Sequence, residues 1–166
     1  EDMHAQKEHK RMKIEIIQYK PIHAYTILDR NVREEDTWLS KFPDWEKWAE
    51  GWKKEGPAFT LVIDGQIIAC AGVLLLDKNK GEAWTLLSSL FYKYKKTTYK
   101  AIIRYLSLII AEKGLKRVQA LINTGLPNVD ACERFLTHLG FKNETPYGME
   151  GYGPNGENVL LFGRRC

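Results

Sequence analysis

The run "AFTLVIDGQIIACAGVLLL", residues 58–76, decides how the fold is read. Ala58 to Asp64 and Gln66 to Leu76 are dominated by apolar and β-branched residues. Between them, Asp64-Gly65 is a dipeptide favoured in two-residue hairpin turns, because both central positions need positive φ. Two antiparallel strands follow from this pattern. A second turn signal, "DKNKG" at 77–81, leads into "EAWTLLSSL", residues 82–90, as a third strand. Three consecutive strands are thus expected side by side in chain order.

Toward the C-terminus, Tyr99, Ile102, Ile103, Leu106, Ile109 and Ile110 recur at helical spacing. They predict a helix from about Thr97 to Lys113, with Gly114 as its cap. "KRVQALIN" (116–123) reads as a strand. "LPNVDACERFLTHL" (126–139) is a helix that carries Cys132, Phe135, Leu136 and Leu139 on one side and ends at Gly140. "FKNE" (141–144) and "NVLLFGRR" (158–165) are strands around the glycine-rich "YGMEGYGPNGE". Toward the N-terminus, Pro43 interrupts a helical stretch and Asp44 is a candidate cap for the next one, with Trp45, Trp48 and Trp52 at i, i+3 and i+7. "IHAYTILDR" (22–30) is a short helix. "KIEIIQ" (13–18) is a first strand, although the Ile16-Ile17 pair blurs its alternation. The order β, α, α, β, β, β, α, β, α, β, β predicts one α+β domain over 13–166 with a mixed, mostly antiparallel sheet flanked by helices. Residues 1–12 read as a polar tail or an expression remnant rather than a secretory signal.

With 166 residues, 44% of them hydrophobic and 28% charged, the chain has the composition of a globular domain with a real core. No apolar run reaches the roughly 20 residues that span a bilayer, so no membrane association is expected. The net charge of +4 is mild. The cluster Lys93, Lys95, Lys96 and Lys100 is too small for nucleic-acid binding to be expected. Cys70, Cys132 and Cys166 have no metal-type spacing, and an odd number of cysteines favours a reduced, cytoplasmic setting. Cys70, within an apolar run, reads as a core residue. His23 and His138 stand alone without spaced ligand partners, so no metal site is expected. A nucleophilic role for Cys132 fails because Glu133 and His138 fall on other helix faces.

The element order, together with "RFLTHLGF" at 134–141, resembles the GCN5-related N-acetyltransferase (GNAT) superfamily. More narrowly, "GEAWTLLSS" (81–89), the basic loop after it, "RVQALIN" (117–123) and "YGPNGENVLLFGRR" (152–165) look like a GNAT-like group of phages and prophages, some members of which are internal virion proteins. The resemblance implies an N-acetyltransferase that uses acetyl-CoA as co-substrate and a small-molecule or protein amine as acceptor, with attack directly on the thioester. The third strand of the run would splay and pair with the pantetheine arm at Leu87, Ser88, Ser89 and Leu90. The following loop and helix start would hold the pyrophosphate at Lys93 to Thr98, with Lys95 and Lys96 adding charge and Thr97 and Thr98 hydroxyls. A helix N-terminus attracts phosphate without any side chain. The family's loop is nevertheless rich in glycine, and "YKYKKTTYKA" (92–101) has none.

The same resemblance places the catalytic candidates. Glu82 is the nearest carboxylate for a base. Ser89, with Ser88, is placed to bond the thioester carbonyl, and Tyr147 or Tyr152 to act as acid. Leu136 stands where the family carries a tyrosine on the fourth helix, and Asn128 matches a common asparagine one residue out of register. Trp38, Trp45, Trp48 and Trp52 fall where the acceptor wall would be, although an aromatic stripe at helical spacing more often packs a core. The missing glycines and Leu136 also motivate a rival reading, a catalytically silent module whose partners are phage structural proteins.

Overall fold

The computed structural model describes residues 10–30, 44–126 and 129–166. Trp38, Pro43 and Asn128, all named above, lie outside these residues. The elements are β1 (Ile14–Gln18), α1 (Pro21–Arg30), α2 (Trp45–Lys54), β2 (Ala58–Ile63), β3 (Gln66–Leu75) and β4 (Lys80–Leu87). A 3₁₀ helix (Ser89–Tyr94) follows, then α3 (Lys95–Lys113), β5 (Arg117–Asn123), α4 (Val129–His138), β6 (Lys142–Asn143) and β7 (Val159–Arg165). Apart from the 3₁₀ helix, which replaces an expected loop, the order of element types is the expected one. Among the described residues the strands form a seven-stranded sheet in the order β1-β2-β3-β4-β5-β7-β6, in which β4 and β5 run parallel and the other neighbouring pairs antiparallel.

The central hairpin turns as its dipeptide demands, with Asp64 at φ 48° and Gly65 at φ 77°. Alternation along β2, β3 and β4 then sorts the side chains onto two faces. Phe59, Leu61, Ala71, Val73 and Leu87 pack beneath α3 and α4 with Ile102, Leu106, Leu136 and Phe162. Cys70 and Leu86 face the other way and pack under α1 and α2 with Tyr19, Ala24, Ile27 and Ala49. β1 is an edge strand with mostly exposed or half-buried positions, which is why its pattern is blurred. Gly114, at φ 62°, ends α3 in the left-handed conformation expected of a glycine cap.

Three local expectations change. Asp44 does not cap α2 through its side chain; its backbone carbonyl takes the N–H groups of Lys47 and Trp48, while the carboxylate pairs with Lys47 at 3.4 Å. β4 begins two residues earlier and ends three earlier than read, because Ser88 turns the chain: its Oγ accepts the Leu90 N–H at 3.2 Å and opens the 3₁₀ helix. The expected loop is therefore helical, and α3 starts at Lys95 rather than Thr97. Its cap residue is Tyr94, without a side-chain hydrogen bond.

Candidate functional site

The site follows from how β4 and β5 part. The two strands pair only over Lys80–Arg117, Gly81–Val118 and Glu82–Gln119. Beyond that point β4 stays with β3 as far as Leu87, and β5 stays with β7 as far as Asn123. The facing edges from Ala83 and Ala120 onward thus carry backbone N–H and C=O groups with no strand opposite. Such groups are strong, obligatory hydrogen-bonding partners for whatever enters the fork.

A cavity of about 800 Å³ occupies this opening and reaches both faces of the sheet. On the α1/α2 face lie Glu82, Trp84, Trp52 and Gly72; on the α3/α4 face lie Leu87, Tyr99, Phe135 and Leu136. Glu82 sits at the vertex, half-buried, and accepts a hydrogen bond from the Gln119 side chain opposite it at 3.2 Å. Trp84, two residues on and on the same face, stacks on Trp52 with ring centroids 4.4 Å apart and planes 15° apart. Tyr19 meets Trp84 edge-on at 5.3 Å, and the Tyr19 hydroxyl donates to the Ala49 carbonyl at 2.8 Å. Burial raises the Tyr19 pKa above its ordinary value, so this donor stays protonated.

The cavity is electrically polarised. Among the described residues that line it, Glu82 is the one acidic side chain, whereas Lys95, Arg134 and His138 gather from α3 and α4 on the other face. Lys95 Nζ stands 5.5 Å from the ring centroid of Tyr92, itself part of the lining. The structure therefore separates the two lysines of the sequence reading: Lys95 lines the cavity and Lys96 does not.

The remaining candidates divide in the same way. Leu87 lines the cavity, while Leu90 packs into the core and Ser89 is exposed outside the lining. Ser88 is fully buried and occupied in capping. Thr97 is half-buried and outside the lining. Thr98 is fully buried, with Oγ1 lacking any hydrogen-bond partner, so its hydroxyl faces no ligand entering from solvent. Tyr147 is 93% exposed and Tyr152 62% exposed, and neither lines the cavity. Leu136 does line it, so an aliphatic side chain stands at the place the resemblance gives to a tyrosine. Of the tryptophans named from the sequence, Trp45 and Trp52 pack on the α1/α2 core, Trp52 also lines the cavity, and Trp48 is exposed.

Sequence reasoning missed Trp84, Arg134, Tyr92 and Gln119. Trp84 stood unremarked inside the strand "EAWTLLSSL", and Arg134 inside "RFLTHLGF". Only the alternation Glu82-Ala83-Trp84, which places the carboxylate and the indole on one face, was available as a signal.

No family model matches the sequence, and no curated protein does. Solved structures do match. The ribosomal-protein-S18-alanine N-acetyltransferase from Escherichia coli is similar with a TM-score of 0.68 at 16% identity, over 92% of this chain and 94% of the other. Ard1 from Thermoplasma volcanium gives 0.68 at 14% identity over 92% and 97%. A GNAT-family acetyltransferase from Bacillus anthracis gives 0.66 at 12% over 92% and 94%. The chain thus has the fold of the GNAT acetyltransferases, a mixed seven-stranded sheet flanked by helices. Among the described residues no helix is long and apolar enough to cross a membrane, and no group of His, Cys, Asp and Glu is arranged to hold a metal ion.

Proposed function

We propose that this chain is an acyl-CoA-dependent N-acyltransferase that moves an acetyl group from acetyl-CoA to an amine. The observation that carries this reading is the fork between β4 and β5, opening into a single cavity with a carboxylate on one face of the sheet and cations on the other. An extended, amide-bearing arm adds to the free edge of β4 as a strand would, with main-chain hydrogen bonds giving affinity. Lys95 and Arg134 meet the phosphates at the α3/α4 end, Arg134 with its planar fork of donors. The thioester then lies at the vertex, facing Glu82.

In the reaction, the Glu82 carboxylate takes a proton from the acceptor ammonium, directly or through a water. The freed amine nitrogen attacks the thioester carbonyl carbon, a C–N bond forms, and the C–S bond breaks to release the CoA thiolate. A cysteine-like thiol has an ordinary pKa near 8.5, so the thiolate leaves without a strong protein acid and takes up, through water, the second proton that the newly acylated nitrogen sheds as it becomes an amide. This accommodates Leu136 in the place of a tyrosine.

Calorimetric titration with acetyl-CoA tests the reading. Saturable binding at or below millimolar ligand, followed by amine-dependent release of CoA thiol, is expected. No binding at millimolar acetyl-CoA would leave the catalytically silent module as the better account of this fold.

A further inference from the structure

We infer that the acceptor is a monoamine carried on an apolar planar body, such as an arylalkylamine, bound against the Trp52–Trp84 pair with its ammonium at Glu82. The inference deepens the proposed acyl transfer and rests on it. Three features of the α1/α2 end of the cavity point the same way. First, the wall is aromatic: Trp52 and Trp84 lie nearly parallel, 4.4 Å apart, and both line the cavity. An indole is the best of the aromatic faces for a cation, and it stacks with a flat apolar group. Second, the pair is held in place. Tyr19 abuts Trp84 edge-on at 5.3 Å and is fixed in turn by its hydrogen bond to the Ala49 carbonyl. Trp84 also pairs across the strands with Gly72, where a Cβ would come within 2.6 Å of the Pro57 carbonyl oxygen, so no side chain stands beside the indole at that position.

Third, the charge count limits the ligand. Glu82 is the one acidic side chain among the described lining residues, and Gln119 orients it. A single carboxylate matches a single ammonium. A polyamine entering here would bury a second cation with no second carboxylate among the described lining residues, which is costly. An amine bearing its own carboxylate would set that group beside Glu82, a like charge, with no cationic side chain among the described lining residues of this face.

Equilibrium binding to the CoA-saturated protein, read by tryptophan fluorescence, tests this without requiring turnover. Phenethylamine is expected to bind at least about tenfold more tightly than spermidine or β-alanine. Trp52→Ala should weaken phenethylamine about tenfold, Trp52→Phe should restore most of that loss, and acetyl-CoA affinity should be unchanged in both. A folded Trp52→Phe protein by circular dichroism keeps the comparison interpretable should Trp52→Ala fail to fold. Spermidine or β-alanine binding as tightly as phenethylamine, or Trp52 variants that fold and bind phenethylamine normally, would overturn the inference while leaving acyl transfer standing. Failure of acetyl-CoA itself to bind would instead overturn the transferase reading.

Discussion

Replacing Thr98 by valine separates what the resemblance suggested for this residue from what its surroundings dictate. Thr98 lies in the first turn of α3, fully buried, and its hydroxyl has no hydrogen-bond partner. A buried, unsatisfied hydroxyl costs roughly 1–3 kcal/mol of desolvation that nothing returns. Valine keeps nearly the same volume and the same β-branched shape, and its helix propensity is close to that of threonine. The substitution therefore removes the penalty without opening a cavity, and Thr98→Val should stabilise the protein by about 1 kcal/mol. For a chain of this size that corresponds to a rise in Tm of about 2–4 °C. Thermal unfolding by circular dichroism and urea titration measure it, with the denaturant slope expected to stay constant. In parallel, acetyl-CoA affinity should not change, because the side chain does not line the cavity. A destabilised Thr98→Val protein would show that the hydroxyl is satisfied in solution. A tenfold loss of acetyl-CoA affinity would show that it reaches the ligand, and either result refutes the reasoning.

Two further outcomes follow from the site and from the α1 contact with the sheet. Glu82→Gln keeps an oxygen to accept from Gln119 but cannot take a proton, so kcat should fall about 10²–10³-fold with acetyl-CoA affinity intact; unchanged steady-state turnover would remove Glu82 as the base. The Nδ1 atom of His23 receives the Lys20 N–H at 3.1 Å and lies 2.8 Å from the Thr60 hydroxyl, so it carries no proton and that hydroxyl donates to it. Burial, and then Lys20, lower the His23 pKa below its usual value near 6.5. Since the unfolded chain then binds the proton more readily, stability should be full above about pH 6.5 and decline as the pH falls toward the folded-state pKa. The drop in Tm between pH 8 and pH 5.5 should be smaller in His23→Gln, and an equal drop in both proteins would refute the assignment.

The same hydrogen-bonded group shows what burial does to a residue already legible as core. Cys70 is fully buried, 3.6 Å from Thr60 Oγ1, and burial pushes its thiol up to about 12, so it stays an uncharged packing group. His138, read as a solitary histidine, is exposed on α4 yet belongs to the cavity lining with Arg134. Nothing in the spacing of either residue to Lys95 could have announced that grouping, since they lie on different helices.

Local patterns in the chain were sufficient for the strands and α-helices and their order, though not for the 3₁₀ helix after β4. Asp64-Gly65 forces a turn because few other dipeptides tolerate two positive φ angles. The 3.6-residue recurrence from Tyr99 to Ile110 makes α3, because burying one stripe is the way such a sequence removes its apolar surface from water. These are short-range constraints, and they sit in the sequence itself. The site belongs to another class of information. That β4 leaves β5 after Glu82 is a matter of which backbone groups find partners across the sheet, and backbone hydrogen bonds leave little side-chain signature. That Thr98 is sealed inside and that Trp52 of α2 lies flat on Trp84 of β4 depend on contacts between segments far apart in the chain. The tertiary structure alone brought one carboxylate to the vertex and set three basic side chains across the sheet from it, because convergence of distant elements, rather than any local propensity, fixes where charges meet.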